Sequence, residues 1–373
     1  MNRAEAIIDL SAIEANVRQL LGATSAKGLA VVKADAYGHG LVPVAKRALA
    51  AGASWLGTAL LEEAVTLRDS GITTPILAWL TPPSDDFATA INREIDLAVP
   101  SIDHLEAIVA AAKSIGTKAR IHLEVDTGMS RGGALGEWRA LVHAVADLAK
   151  VGVLDVEGIW SHFARADEPS HHFNDEQIQN FEIRIAEARE FGISPKLIHL
   201  SNSAATLKNP GAHYDLVRLG IAMYGLSPDV KNLGFGEDLR LRPAMKVRAR
   251  LHLVKDVPAG SQVGYGGTAI TDSDTKLGVV AMGYADGIPR NASSATGVLV
   301  GSQLAPLIGR VSMDQFVVNL GKDSVSRAGD WVEVISLDKN RGYTADAWAE
   351  ASGTINYEIV TRIGPRVPRV HID

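Results

Sequence analysis

The sequence contains no cysteine among its 373 residues. Disulfides, thiolate metal sites and a cysteine nucleophile are therefore excluded, and we expect no metal centre. The chain also lacks an apolar run long enough to cross a bilayer, and it has no tract of basic residues. We therefore expect neither a membrane nor a nucleic acid among its partners.

The N-terminal region lacks the apolar segment of a secretory signal and carries Glu5 and Asp9 early. We expect no signal peptide and a cytoplasmic location. Apolar residues make up 46% of the chain, charged residues 21%, and the net charge is -6, which is typical of a globular enzyme. The length suits two domains rather than one.

Short apolar runs alternate with segments of helical spacing through the first two thirds of the chain. The runs predicted as strands are 29–33, 55–59, 75–80, 95–100, 119–125, 154–162, 196–200 and 215–223. A capping box at Ser11–Glu14 predicts an additional helix through Leu20. Eight βα units favour a closed α/β barrel of the (β/α)8 TIM type. An open doubly wound sheet is the alternative, although no G-x-G-x-x-G motif follows the first strand.

The pattern changes after about Gly234, where alternating and β-branched runs replace the long helical segments. The runs predicted as strands are 245–257, 276–282, 297–300, 315–320 and 331–335, and only 344–351 has helical spacing. The sequence therefore predicts a barrel over residues 1–235 and a C-terminal, mostly-β domain over 236–373.

Several polar residues follow the predicted barrel strands, where catalytic groups of such barrels lie. Lys33 ends the first strand, and a lysine at the end of an apolar run is costly to bury unless it is paired or covalently used. Taken alone, it is also compatible with a surface lysine at a strand edge.

The same predicted rim carries further cations and small hydrogen-bonding groups: Arg131, His162, Asn202, Ser203, Arg218 and Gly220. Singly, the arginines suit structural ion pairs, and His162 suits a core histidine with satisfied hydrogen bonds. Together they suit an anionic, phosphate-bearing ligand, since barrels often bind phosphate at the loops after strands seven and eight.

Motifs in both halves resemble those of one known family. They are AVVKADAYGHG, VDTGM, SHFA, HLSNSAA, VRLGIAMYG, VGYGGT, GYADG, GRVSMDQ and INYEIVTRI. In order and spacing they are similar to the motifs of alanine racemases, which depend on pyridoxal 5'-phosphate. The resemblance implies interconversion of L- and D-alanine, supply of D-alanine for peptidoglycan, and a homodimer with shared active sites.

The resemblance also implies residue roles. Lys33 would bind the cofactor covalently and act as one base, and Tyr265 of the partner subunit would be the second. Arg218 would hydrogen-bond the pyridine nitrogen. The phosphate would be held by Tyr37, Ser203, Gly220, Ile221 and Tyr357, with Asn202 adjacent. Arg131 would face the cofactor's phenolic oxygen and the substrate carboxylate, which Met313 and Asp314 would also contact. The supporting and access-channel residues would be His162, His199, Tyr284, Arg290 and Arg310.

One position departs from the family pattern. Many alanine racemases carry a carbamylated lysine where this chain has Glu124, and the carbamate orients the arginine equivalent to Arg131. A glutamate forms no carbamate, so the hypothesis is that Glu124 supplies the negative charge directly. Its side chain is shorter than a carbamylated lysine, so a backbone shift or a bridging water would be needed for it to reach Arg131. The alternative is that Glu124 faces another cation.

Three other functions are alternatives for this sequence. A basic-amino-acid decarboxylase of the same scaffold needs a catalytic cysteine, which is absent. A broad-specificity or serine racemase is a closer rival, although its periplasmic versions carry a signal segment and cysteines. A non-catalytic cofactor-binding protein would be a single barrel, lacking Tyr265 and the GRVSMDQ segment.

Overall fold

The computed structural model describes residues 2–373, which form two compact units. One unit comprises residues 13–36 and 41–241, and the other comprises residues 2–12, 37–40 and 242–373. The first strand, β1 (Ala4–Asp9), pairs in parallel with a strand at the other end of the chain. This division differs from the predicted one, which placed all of residues 1–235 in the barrel.

The first unit is a nearly closed barrel of eight parallel strands, of which the first seven pair in chain order and the eighth pairs with the first. The strands are β2 (Lys27–Val31), β3 (Trp55–Thr58), β4 (Ile76–Ala78), β5 (Ile95–Val99), β6 (Ala119–Glu124), β7 (Leu154–Trp160), β8 (Leu197–His199) and β9 (Leu216–Leu219). β9 pairs with β2, and backbone bonds from Asp215 to Ile198 and from Arg218 to Ser201 join it to β8. The predicted (β/α)8 fold class is confirmed.

Helices follow the barrel strands in the expected alternation. They are α1 (Leu10–Gly22), α3 (Leu41–Ala50), α4 (Leu61–Asp69), α5 (Phe87–Asn92), α6 (Ile102–Ile115), α7 (Trp138–Lys150), α8 (Phe173–Glu190), α9 (Ser203–Lys208) and α10 (Val230–Leu233), with α2 a short turn at Lys33–Gly38. α6 shows how the sequence sets the ends: the Ser101 side chain accepts from the His104 N–H, and Gly116 closes the helix at φ +63°.

The predicted capping box at Ser11 is wrong. Helix α1 already begins at Leu10, and the Asp9 carboxylate accepts the N–H of Ala12 at 3.0 Å. The Ser11 hydroxyl donates to that same carboxylate instead. Aspartate and serine are both good caps, so the pattern alone did not show which one the chain uses.

The second unit is strand-rich, as predicted. Its strands after β1 are β10 (Met245–Val257), β11 (Gln262–Val263), β12 (Ala269–Ile270), β13 (Thr275–Val280), β14 (Gly297–Val300), β15 (Gln303–Pro306), β16 (Phe316–Asn319), β17 (Trp331–Ile335) and β18 (Arg369–Ile372). The long β10 pairs with β1, β13 and β17. Two helices lie between β17 and β18, namely α11 (Ala345–Ser352) and α12 (Asn356–Thr361). The second was not predicted.

No helix within residues 2–373 has both the length and the apolar character needed to cross a membrane.

The turn α2 is left-handed. Ala34, Asp35, Ala36 and Tyr37 all have φ of 53° or 54°. Each such residue costs about 1–2 kcal/mol, because Cβ approaches the following carbonyl oxygen. Side chains satisfy the backbone around the turn: Glu63 accepts the Ala34 N–H at 2.6 Å, and Asp35 accepts the Leu41 N–H at 2.8 Å. Strain held by such contacts is typical of functional sites.

We predict that Ala34→Gly leaves the free energy of unfolding unchanged or raises it by up to about 1 kcal/mol, because glycine adopts this φ without Cβ strain. The control, Ala110→Gly, alters an exposed alanine of the right-handed helix α6 and should cost about 1 kcal/mol. Urea unfolding of both variants measures the difference. An equal loss in the two would contradict strain at Ala34.

Candidate active site

Lys33 stands directly after the first barrel strand, at the start of the left-handed turn. Its side chain is partly buried, and Nζ lies 6.0 Å from the ring centroid of Trp79. Burial lowers the pKa of Lys33, the charge of Arg131 lowers it further, and Glu63 opposes this. A lowered pKa increases the fraction of neutral amine, and the neutral amine is the form that attacks a carbonyl or accepts a proton.

Arg218 is buried on β9 and is the centre of a hydrogen-bond network. Nη1 donates to the carbonyl of His199 at 3.3 Å and to its ring Nδ1 at 3.2 Å. Nη2 donates to the carbonyls of Ser161 and Leu200, both at 2.9 Å, and to Nδ1 of His162 at 3.1 Å. These bonds all leave from Nη1 and Nη2. Within residues 2–373, Nε–H has no protein acceptor and remains available to a ligand.

The charges around Arg218 follow from burial. Burial lowers the pKa of Arg218 to about 9, with Glu124 acting in the opposite direction, so the guanidinium stays charged at neutral pH. Burial and nearby cations also lower the pKa of His162, and burial with the neighbouring His122 and Arg218 lowers that of His199. Both imidazoles are therefore neutral, as acceptors of an arginine N–H must be.

The segment after β8 and β9 forms a small polar corner. The Ser203 hydroxyl oxygen accepts the N–H of Gly220 at 2.9 Å and of Ala222 at 3.2 Å, which leaves its own hydrogen to donate. The Asn202 side chain caps α9 by accepting the Ala205 N–H at 3.1 Å. Ile221 is buried beside Gly220.

Glu124 and Arg131 do not form a direct ion pair in the described structure. Burial raises the pKa of Glu124 to about 7, against the lowering effects of Arg218 and Arg131. Arg131 is exposed, and Gly132 gives the carboxylate room, since a Cβ there would lie 2.8 Å from Glu124 Oε1. The pairing expected from the sequence thus stays a hypothesis, although the two charges are near enough to affect each other.

In the strand-rich unit, Tyr37 and Tyr357 lie together, with ring centroids 6.2 Å apart. The other residues singled out there occupy exposed turns. Tyr265 is 69% exposed between glycines with positive φ, and Met313 is 53% exposed. Arg290 and Arg310 line a cleft of about 710 Å³. Large exposed side chains on adjacent turns are typical of an interaction surface.

Buried Asp286 joins two of these turns. It pairs with Arg3 at 2.5 Å and with Arg366 at 3.2 Å, and Arg366 also holds the Asp314 carboxylate at 2.6 Å. The backbone N–H of Tyr284 donates to the Ser312 carbonyl in the same region. Because its carboxylate is already paired with Arg366, Asp314 has its backbone rather than its side chain to offer an anionic substrate.

Several residues of this architecture were not predicted from the sequence: Glu63, Trp79, Asp96, Arg120, His122, Trp160, Asp286 and Arg366. For β6 a signal existed. Arg120, His122 and Glu124 alternate along the strand and therefore share one face. Inside a barrel that face is usually apolar. Three polar residues on it indicate a polar interior.

Comparison with known proteins gives the same family for both units. Residues 8–228 match the family model "Alanine racemase, N-terminal domain", and residues 244–371 match "Alanine racemase, C-terminal domain". The alanine racemase of Salinispora tropica is 48% identical over 100% of this chain and 99% of its own length.

Solved structures agree with this similarity. The alanine racemase from D-cycloserine producing Streptomyces lavendulae superposes with a TM-score of 0.98 at 47% identity, covering 100% of this chain and 98% of its own. The alanine racemase from Bacillus anthracis with bound L-Ala-P has a TM-score of 0.89 at 36% identity, covering 100% and 96%. The chain therefore belongs to the alanine racemase family of isomerases, which interconvert L- and D-alanine.

Proposed function

We propose that this chain racemises alanine with pyridoxal 5'-phosphate as cofactor and with two bases, Lys33 and Tyr265 of the partner subunit. The observation that carries the proposal is the set of three basic side chains at the barrel rim. A lysine with a lowered pKa, Arg131, and a buried Arg218 with an unused Nε–H lie in one unit.

The residues present fit this cofactor. Its aldehyde condenses with amines, and its conjugated ring stabilises negative charge at a neighbouring carbon. Lys33 offers the amine, and the Nε–H of Arg218 suits a ring nitrogen acceptor. Ser203 has a hydroxyl hydrogen to donate to a phosphate, beside Gly220 and Ile221 and with Asn202 adjacent. The family resemblance assigns Tyr37 and Tyr357 to the phosphate as well.

Arg218 also sets the character of the reaction. A guanidinium donates a hydrogen bond but keeps its proton, so Arg218 would leave the ring nitrogen of a bound cofactor unprotonated. An unprotonated ring withdraws electrons less strongly, which limits side reactions such as transamination. His199 and His162 accept from Nη1 and Nη2 of Arg218 and so restrain the guanidinium, whose Nε–H we assign to the ring nitrogen.

Two bases on opposite faces of Cα remove a proton from one side and return one to the other. The amine of Lys33 is suited to one face. A free tyrosine has a pKa of about 10, so action as a phenolate near pH 7 requires about 3 pKa units, or roughly 4 kcal/mol, of stabilisation. Arg131 is the cation we assign to part of that task, supported by Glu124, while His162 supports the cofactor side.

The partner subunit completes the proposed site. Tyr265, Met313 and Tyr284 are exposed on turns of the strand-rich unit, which fits their use by a second copy of the chain. Met313 and the backbone of Asp314 would bind the substrate carboxylate, and Arg290 and Arg310 would line the access channel. Bulky Met313 and Tyr357 would leave room for little beyond a methyl group, so alanine is the expected substrate. We assign the product to cytoplasmic supply of D-alanine for peptidoglycan.

We predict that borohydride reduction of the cofactor-loaded enzyme labels Lys33, because its pKa is lowered by burial and by Arg131. Peptide mapping by mass spectrometry identifies the site. Lys46 and Lys113 are internal controls, since both lie on helices of the same unit. A label on either of them in place of Lys33 would overturn the assignment.

We predict that mixing Lys33→Ala and Tyr265→Ala chains, each inactive alone, restores about a quarter of wild-type activity. Half of randomly mixed dimers are hybrids, and each hybrid has one of its two sites intact. Subunit exchange under mild denaturant followed by a racemisation assay provides the measurement. Exchanged mixtures that stay inactive would contradict a site shared between subunits.

We predict that above pH 7, where Glu124 is mostly ionised, Glu124→Gln lowers kcat/KM about tenfold, which corresponds to about 1.4 kcal/mol, because Arg131 loses its anionic neighbour. Cofactor absorbance should be retained, and activity should not depend on dissolved carbon dioxide. Exposed Glu106→Gln on α6 is the control. A fully active Glu124→Gln enzyme would show that Arg131 needs no anionic neighbour.

The same variant has a signature in stability. The pKa of Glu124 is about 7 in the folded state against 4.5 ordinarily, so the folded chain binds this proton more tightly than the unfolded chain. The contribution of Glu124 to the free energy of unfolding therefore falls as pH rises from 4.5 to about 7. Glu124→Gln should lose that pH dependence.

A further inference from the structure

A row of buried polar side chains extends from Arg218 to the far end of the barrel strands. His199 Nε2 lies 3.0 Å from His122 Nδ1, and His122 Nε2 lies 3.5 Å from Asp96 Oδ2. The side chains of His122 and Asp96 are fully buried. Arg120 holds the Asp96 carboxylate through Nε at 2.5 Å and Nη2 at 3.2 Å.

The ring protons of the two histidines in this row each have only one consistent position. Arginine donates and never accepts, so Nδ1 of His199 is an acceptor and its proton is on Nε2. That Nε2–H donates to Nδ1 of His122, which places the His122 proton on Nε2, facing Asp96. His122 Nε2 makes no regular hydrogen bond within residues 2–373, and the carboxylate of Asp96 is the anion opposite it.

The packing inside the barrel leaves space for this row of side chains. A Cβ on Gly158 would lie 2.4 Å from His122 Nδ1, so only glycine leaves space for the imidazole. The β6–β7 register shifts at the same place, between Ile121 and His122. Trp55 meets the His122 ring edge-on at 5.2 Å, and Trp160 stacks on His199 at 5.8 Å. These contacts restrain both rings against rotation.

We propose that Asp96 is a positioning residue for Arg218, acting through His122 and His199. Its carboxylate accepts only, which fixes the proton of each imidazole on Nε2 and keeps Nδ1 of His199 turned to the guanidinium as an acceptor. Carboxylates that fix a histidine tautomer in this way are known to control neighbouring functional groups. The inference rests on the proposed role of Arg218 as donor to the cofactor ring.

The informative variant is Asp96→Asn. An amide keeps one oxygen for Arg120 but turns an N–H toward His122 Nε2, which makes that nitrogen an acceptor. The protons of both histidines then move to Nδ1, and the His199 Nδ1–H faces the Nη1–H of Arg218 at 3.2 Å. Two donors in contact displace the guanidinium. Asp96→Glu keeps an acceptor-only group and should restore the native tautomers.

The test begins with the cofactor-free protein, using ¹⁵N NMR of labelled histidine rings. In the wild type, His122 and His199 should both carry the proton on Nε2, and in Asp96→Asn both should carry it on Nδ1. In the loaded enzyme, Asp96→Asn should lower kcat for alanine by about 10–100-fold with little change in KM, and Asp96→Glu should recover most of it. Exposed Asp103→Asn is the control.

Gly158→Ala perturbs the same row of side chains from β7. It should displace the His122 ring and lower kcat in the same way, with no carboxylate changed. Wild-type histidines protonated on Nδ1, or an Asp96→Asn enzyme with unchanged tautomers and kcat, would overturn the proposal while leaving Lys33 labelling intact. If Lys33 itself fails to label, the proposed function fails, whatever the tautomers show. If Asp96→Asn does not fold, the wild-type spectrum and Gly158→Ala decide the question.

Discussion

Burying a guanidinium inside a barrel is the constraint on which the rest of the site depends. A buried charge without partners costs several kcal/mol, and Arg218 offsets this cost with carbonyls from two strand ends and two neutral imidazoles. Its neighbours are therefore not interchangeable: each must accept a hydrogen bond. The polar interior, the neutral histidines and the free Nε–H all follow from placing that one residue on β9.

The proposed role of Lys33 requires the opposite protonation behaviour from that of Arg218. The proposed function requires Arg218 to stay charged at neutral pH and Lys33 to lose its proton more readily than a free lysine, and both side chains lie in one unit. Burial acts in the same direction on both pKa values, but the starting values differ. Arginine begins high enough to remain protonated, while the pKa of lysine begins lower and is lowered further by the charge of Arg131, which makes the neutral amine more available. The left-handed turn that begins at Lys33 fixes the backbone on which this amine is placed.

The pattern predicted the barrel well because its strands are short, mostly apolar runs between helical segments, which is typical of parallel strands buried on both faces. It predicted the rim for the same reason, since strand ends can be read from the pattern. β1 was missed because its partners, β10 and β18, lie more than 200 residues away. Asp96 and His122 were missed because their roles depend on contacts across the barrel, although the polar alternation on β6 carried a signal.

In the proposed reaction, two different groups remove and return the Cα proton on opposite faces of the substrate. Early turnover of L-alanine in heavy water, followed by NMR and chiral separation, tests this most directly. Two bases predict that the first D-alanine formed carries deuterium at Cα, because its proton comes from a group that exchanges with solvent. D-alanine that retains the original Cα proton would instead mean transfer by a single base and would contradict the assignment of Lys33 and Tyr265 to opposite faces.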